Sequence, residues 1–384
     1  MPVRATKRGA QRTPLSGDFD VLICGASFAG LTVARELEGT GANVLMVDRY
    51  EIGERQTSAC GAPTEWLINM GLQGSILQTF EDLVIHMPRK TFTWRLPWTF
   101  STFDYRQLCA LLRDGSPSTR FETAKVERRE GNTIHTDRGE LRAPLIVDAL
   151  GWRRMLSNTV AITPPDAPMS RGLEVHPPAT GDELEIWIDP QYIRAGYSWA
   201  FPARDEVRIG VGSFRPHDHV KDPTVKLTRD KGLEPLGYQG NWIPHKLRRA
   251  TEERIFFTGD SAGHCLPLTA EGIRTAFYFG IACGRELREV IEGRQTREQA
   301  LAAYDDFSEA HEWKFKWMLR NQNWVGQLTN TPILTGLLRL LDNQRFIDWS
   351  FGHYRTITPP EFALERAANG AVPAAPATRV ADAA

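Results

Sequence analysis

The residues best suited to chemistry come early in the chain. Gly25-Ala26-Ser27-Phe28-Ala29-Gly30 is a glycine turn, and Asp48 follows it by about 20 residues. A turn of this kind at the start of a helix lets the phosphates of a dinucleotide approach backbone N–H groups that have no partner inside the helix. An acid at the end of the next strand accepts hydrogen bonds from a ribose. Gly25 permits the tight turn and Gly30 lets helix and strand pack closely. Ser27 stands where the G-x-G-x-x-G pattern has its middle glycine, and it is small enough to leave phosphate approach open.

A strand, a helix and a second strand must position these groups. Val21, Leu22, Ile23 and Cys24 form a short apolar run, as in a parallel strand buried on both faces. Leu31, Ala34 and Leu37 recur at helical spacing, and Gly39 and Gly41 end that helix. Residues 44–47 make the second strand, with Asp48 at its end.

Charge is nearly balanced, 46 Lys and Arg against 47 Asp and Glu, so the chain has no general attraction for nucleic acid or an anionic surface. The five cysteines, Cys24, Cys60, Cys109, Cys265 and Cys283, include no C-x-x-C pair. That points to a reducing, cytoplasmic compartment and away from disulfides or a zinc site. The histidines form no metal-spaced cluster, since His217 and His219 lie in a Pro-containing turn, and no metal is expected. Residues 1–17 are basic and polar without an apolar signal region, and 366–384 are rich in Ala and Pro; both are expected to be disordered. No stretch reads as a membrane span.

Further strands are dispersed. Alternation over 83–98 (Phe92, Trp94, Leu96) suggests strands, with Pro97 at an edge or turn. Thr64 is placed to cap a helix over 65–70, and 102–108 leads into a helix through Leu112. Short strands follow over 121–141, turning at Glu130-Gly131-Asn132, then a buried strand at 145–150. Strands at 183–188, 197–202 and 207–211 precede a fourth at 254–258, which leads into Gly259-Asp260-Ser261-Ala262-Gly263. Beyond Glu271 the pattern is helical. The expected fold is α/β: a Rossmann-like domain, discontinuous in sequence (18–80, 101–155 and 245–300), with an inserted antiparallel β-sheet substrate domain (81–100 and 156–244). A helical region at 301–365 completes it. A simple dehydrogenase would keep its sheet strands contiguous. No second G-x-G-x-x-G follows a later strand, so no separate nicotinamide domain is expected.

Three separated motifs agree with one family. The 25–30 turn with Asp48 resembles the FAD-binding opening of flavoproteins with the glutathione-reductase-type fold. Gly259-Asp260-Ser261-Ala262-Gly263, with Pro267, Glu271 and Gly272, resembles their second flavin motif, and Tyr197-Ser198-Trp199-Ala200-Phe201-Pro202 with Gly210 and Gly212 resembles the Y-x-W-x-F-P…G-x-G signature of the geranylgeranyl reductase family. Cys60-Gly61 is similar to that family's Cys-Gly element. The resemblance implies FAD held by Gly25, Ser27, Phe28, Ala29, Gly30, Asp48, Arg49, Cys60, Gly61, Arg106, Asp260, Gly263, Gly272 and Ile273. Arg106 stands in for an arginine that the family places before a Phe-Asp pair. It implies Tyr197, Trp199 and Phe201 as an apolar wall across the isoalloxazine, with Cys60 and Tyr197 as candidate proton donors.

The implied activity is reduction of C=C bonds in an isoprenoid or similar apolar substrate, with electrons from NAD(P)H or a ferredoxin partner and peripheral contact with a membrane. An FAD monooxygenase, hydroxylase or halogenase shares the fold and flavin motifs; against a halogenase, the W-x-W-x-I-P box is absent. A flavin-binding partner protein without turnover is a third reading. Plainer readings stand beside these. Cys24, Cys109 and Cys283 read as core fillers, and Cys60 as either a filler or a residue near the flavin. Glu271 reads as loop support through backbone N–H groups more readily than as an acid. Trp313, Trp317 and Trp324 share one helix face, read as helix packing in preference to the lining of a lipid tunnel. His264 receives no assignment.

Overall fold

Short apolar strands from distant parts of the chain lie side by side. In the computed structural model, which describes residues 13–365 apart from 57, 165 and 328–330, Ile255–Phe257, Leu145–Asp148, Val21–Cys24, Val44–Asp48 and Arg120–Thr123 run parallel in that order. Alternate residues separate into two cores, as a period of two requires. Val21 and Ile23 join the core beneath the helices, whereas Leu22 and Cys24 face a four-stranded sheet on the other side. The Phe28–Leu37 helix crosses Ile273–Ile291 closely, because a Cβ at Gly280 would stand only 3.1 Å from the Ala29 carbonyl oxygen.

The expected disorder over residues 1–17 does not hold at its C-terminal end. Leu15 is buried and its N–H donates to the Arg138 carbonyl at 2.8 Å, while Gly17–Asp18 pairs in parallel with Leu141 and Arg142. Residues 1–12 and 366–384 lie outside the described residues.

The large sheet has eight strands, in the order Gln239–Pro244, Met169–Val175, Glu206–Ser213, Gly196–Ala203, Leu184–Trp187, Ile76–Met87, Lys90–Phe103 and Gly61–Pro63. It takes in more chain than 81–100 and 156–244, because the Ile76–Phe103 hairpin is longer than its visible alternation. One neighbouring pair, Leu184–Trp187 with Ile76–Met87, is parallel in an otherwise antiparallel sheet. Pro97 sits inside a strand, at the irregularity between the Phe80–Phe100 and Asp82–Arg95 pairs, where its missing N–H costs no ladder bond. Thr64 is the first residue of the Thr64–Asn69 helix rather than its cap, and its hydroxyl bonds Ser101 Oγ at 2.7 Å.

The C-terminal helices fold back over the hairpin. Phe351 packs its ring edge against Trp94 and Trp98, Leu334 and Leu338 meet Ile85, Met87 and Phe92, and buried Trp66 donates its indole N–H to the Thr358 carbonyl at 3.1 Å. The tryptophan face of Glu312–Gln327 does not pack. Trp313, Trp317 and Trp324 are 66%, 60% and 50% exposed, and Phe315, Met318, Gln322 and Gly326 form the inward face instead. Both stripes recur at helical spacing, so periodicity alone does not say which one turns inward. Among the described residues no helix is long and apolar enough to cross a membrane.

Trp66→Ala should lower the unfolding free energy by about 3–5 kcal/mol, the usual cost of emptying a buried aromatic site. Trp313→Ala should change it by no more than about 0.5 kcal/mol. Urea titration of both variants checks the assignment of these two rings.

Candidate active site

The first turn is built by backbone proximity. Gly25 has φ +112°, and a Cβ there would stand 2.2 Å from the Ala149 carbonyl oxygen. Asp48, at the strand end, accepts from the Ala26 N–H at 2.9 Å through one oxygen and from Tyr50 N–H at 3.0 Å through the other. Burial raises its pKa, against the pull of those two backbone donors. Ser27 is the extended N-cap of the following helix but makes no side-chain capping bond; its hydroxyl lies 3.2 Å from Tyr105 Oη. The first amides of the helix are thereby left without a side-chain acceptor, which is what an anion there requires. Phe28 is fixed by edge contacts with Phe103, Tyr105 and Phe277.

The second turn arrives from Ile255–Phe257 as a short 3₁₀ segment, Gly259–Ala262. A Cβ at Gly259 would meet Ala29 Cβ at 3.0 Å, so the two glycine turns touch. Buried Asp148 binds them to the sheet, accepting from Ser261 Oγ at 2.7 Å and from the N–H groups of Leu150 and Leu156 at 2.9 and 2.8 Å. Burial pushes the Asp260 carboxyl up to about 6, with Arg248 pulling the other way. Asp260 Oδ1 lies 3.6 Å from the site of a Cβ on Gly272, directly ahead of the Ile273–Ile291 helix. Gly263 serves the chain itself, since a Cβ there would strike the Lys246 carbonyl oxygen at 2.1 Å.

Tyr197, Trp199 and Phe201 share one face of the Gly196–Ala203 strand and are half-buried, while Ser198 and Ala200 point into the buried side. The rings follow one another at 6.0 and 6.5 Å, and Phe214 and Phe100 extend the series at 6.2 Å from each end. Trp199 lies flat because its neighbour is glycine: a Cβ on Gly210 would stand 2.2 Å from Trp199 Cζ2. Cross-strand partners share a face, so Gln239, Glu174, Gly210, Trp199, Ile186, Ile85 and Phe92 form one row across seven strands. The Tyr197 hydroxyl donates to the Thr269 carbonyl at 2.6 Å and ties this row to the loop ahead of Gly272.

No family model matches the chain. A digeranylgeranylglycerophospholipid reductase of Methanosphaera stadtmanae is 24% identical over 330 residues, covering 77% of this chain and 83% of that one. A second enzyme of that name, from Methanopyrus kandleri, is 24% identical over 85% of this chain and 91% of its own. Among solved structures, a geranylgeranyl bacteriochlorophyll reductase-like protein of Thermoplasma acidophilum superposes with a TM-score of 0.75 at 17% identity, covering 91% and 98% of the two chains. The chain is similar to these reductases along most of its length, at modest identity. The same fold extends to the probable FAD-dependent monooxygenase PqsL of Pseudomonas aeruginosa, with a TM-score of 0.66 at 17% identity over 84% and 100% of the chains.

The residues fit a flavin dinucleotide. The uncapped helix, the close glycine turns and Asp48 form a cradle for a dinucleotide, and its shape depends on glycine, because a Cβ at Gly25 or Gly259 would strike Ala149 or Ala29 and push the turns apart. The other expected site residues are more scattered. Arg49 is exposed, with its guanidinium 4.7 Å from the Tyr50 ring centre, and exposed Arg106 packs on Gly53. Ile273 is buried as the first residue of its helix. Gly61 joins the edge of the large sheet, where a Cβ would strike the Phe100 ring. Cys60 is fully buried at φ +53°, its thiol 3.2 Å from the Ser58 carbonyl, and burial raises its pKa well above the ordinary thiol value although Arg208 opposes this.

Glu271 supports its loop through side chains rather than backbone N–H groups. It pairs with buried Arg274 at 2.8 Å and accepts from Tyr354 Oη. His264 is structural: its ring stacks on Phe279 at 3.7 Å between centroids and bonds Ser308 Oγ, and burial keeps it neutral. A polar cluster was not anticipated. Arg208 is buried and donates to the carbonyls of Ala59, Cys60 and Phe103 at 2.8, 3.3 and 3.0 Å, while Glu174 and His176 lie buried in the same face. Burial opposes charge on His176, but its bonds to Glu174 and Glu206 outweigh that and raise its pKa. The available signal was charge at inward positions of 206–210, where Arg208 alternates with Val207 and Ile209.

Asp48→Ala should weaken FAD binding by about 1–3 kcal/mol, read by flavin titration, with apo-protein melting as the control for the lost Ala26 and Tyr50 bonds. Gly210→Ala should cost about 1–3 kcal/mol of stability through overpacking. Gly172→Ala should cost far less, because a Cβ there meets Ile243 at 3.5 Å and Trp199 at 3.8 Å. Parallel denaturant titrations compare the two.

Proposed function

We propose that this protein, with FAD bound, reduces C=C bonds in the isoprenoid chain of a lipid. The observation that carries the reading is the half-buried aromatic row of Tyr197, Trp199 and Phe201, an apolar wall that ends where Ile85 and Phe92 pass beneath Leu334 and Leu338. The names of the methanogen relatives support it. Reduced FAD supplies the hydride. An unactivated alkene is a poor hydride acceptor, so one carbon must receive a proton as the other receives hydride. The faces of Trp199 and its neighbours stabilise the positive charge that develops, and the wall orients the chain and excludes water. Tyr197 commits its hydroxyl proton to Thr269, whereas Cys60 Sγ keeps its proton in a weak contact, so we assign the transferable proton to Cys60. Arg208 is the charge that would hold the thiolate left behind.

The proposal extends to two partners. Electrons come from NAD(P)H or a ferredoxin-type protein docking transiently. The substrate comes from a membrane surface, for which the exposed Trp313, Trp317 and Trp324 are suited as interfacial residues. The fold of PqsL favours one rival, in which reduced flavin meets O₂. The two readings separate when anaerobically reduced holoprotein is mixed with a geranylgeranyl lipid and, separately, with O₂. The lipid should reoxidise the flavin and gain two hydrogens per double bond, by mass spectrometry. Trp199→Ala should slow that step by about 2–4 kcal/mol of lost contact, while FAD is retained. Reoxidation by O₂ alone, with an oxygenated product, would instead establish the monooxygenase.

A further inference from the structure

The sheet row that carries Trp199 changes character at that residue. On one side lie Ile186, Ile85 and Phe92; on the other, past Gly210, lie Glu174 and Gln239. The absent side chain at Gly210 lets the indole reach across an entire strand. Its Nε1–H donates to Glu174 Oε2 at 3.1 Å. Glu174 Oε1 is held in turn by His176 Nε2 at 3.0 Å and by the Gln239 amide, and His176 Nδ1 stands 3.2 Å from Glu206 Oε1. Glu174 is 3% exposed and His176 5%, so both side chains are withheld from water. The same cluster grips the Cys60 loop, through Gln239 Nε2 to the Ser58 carbonyl at 3.3 Å and through Arg208 to the carbonyls of Ala59 and Cys60.

A buried carboxylate facing water or a salt bridge on a surface would be ordinary. This one accepts its bond from the indole of the aromatic wall, and the rest of its partners only hold it in place. We propose that Glu174 is a positioning residue for the reaction: its carboxylate fixes the plane of Trp199 over Gly210 and makes the ring a better acceptor of positive charge. This rests on the reading of the site as an alkene reductase. A hydrogen bond from an indole N–H to an anion shifts electron density into the ring, and the ring face is the part that meets a developing cation. Replacing the carboxylate by an amide keeps the shape and an acceptor but removes the charge.

The test uses full-length holoprotein with FAD and two variants, Glu174→Gln and Trp199→Phe. In anaerobic single-turnover experiments with geranylgeranyl lipid, Glu174→Gln should slow flavin reoxidation about tenfold, as expected for one charge-assisted bond, with little change in KM and with O₂ reoxidation unaltered. Trp199→Phe keeps an aromatic ring but lacks the N–H, so adding Glu174→Gln to it should slow the reaction no further. Independently of turnover, the Trp199 indole N–H resonance in a ¹⁵N-indole-labelled protein, identified by its loss in Trp199→Phe, should move upfield in Glu174→Gln. An unmoved resonance, additive kinetic effects, or equal slowing with lipid and with O₂ would each overturn the assignment to Glu174. Lipid that leaves the wild-type flavin reduced, together with a resonance that does move, would overturn the reductase reading while leaving the Glu174–Trp199 contact in place. Should Glu174→Gln fail to fold, Glu174→Asp takes its place; a shorter carboxylate that reproduces wild-type kinetics and resonance position would also overturn the proposal.

Discussion

A turn near residue 260 must touch a turn near residue 29, and most of the architecture follows from that contact. Both turns end parallel strands, and Asp148 at the end of a third strand binds the second turn through Ser261. Side chains on Gly25 or Gly259 would separate the pieces. The contact brings two uncapped helix starts, Phe28–Leu37 and Ile273–Ile291, to one edge of the sheet. Helix starts attract anions, so the constraint that closes the fold is also what makes a place for a dinucleotide.

The large sheet answers a different requirement. It must present a wide apolar face yet keep a charged cluster at its margin without exposing either to the wrong surroundings. Glycines at 210 and 212 let Trp199 lie across the ladder, and Arg208, two residues before, reaches out to the Cys60 loop. One strand thus supplies both the floor under the indole and the charge beside the thiol. Such buried charges cost desolvation unless every partner is supplied, which accounts for the density of bonds around Glu174, His176 and Glu206.

The first glycine turn, its helix and Asp48 were legible from the chain because their signals are local: a run of apolar residues, a spacing, a glycine. The shared face of Tyr197, Trp199 and Phe201 was legible for the same reason, since strand alternation is fixed by geometry. What local pattern did not carry was pairing. That Gly210 lies opposite Trp199, with Glu174 one strand farther, depends on register between strands separated by tens of residues. Nor did periodicity decide the Glu312–Gln327 helix, where Trp313 and Phe315 lie on opposite sides of an element with two apolar stripes. Leu15 was missed because its partners, around Arg138, are far along the chain.

The central claim is that flavin and substrate meet on the Trp199 face of the large sheet, next to the paired glycine turns. A crystal structure of the protein with FAD and a geranylgeranyl lipid tests it most directly. The isoalloxazine should lie between the Cys60 loop and the aromatic row, with the lipid chain following Tyr197, Trp199 and Phe201. A flavin bound away from that row, or a lipid lodged on the opposite face beside Ser198 and Ala200, would contradict it.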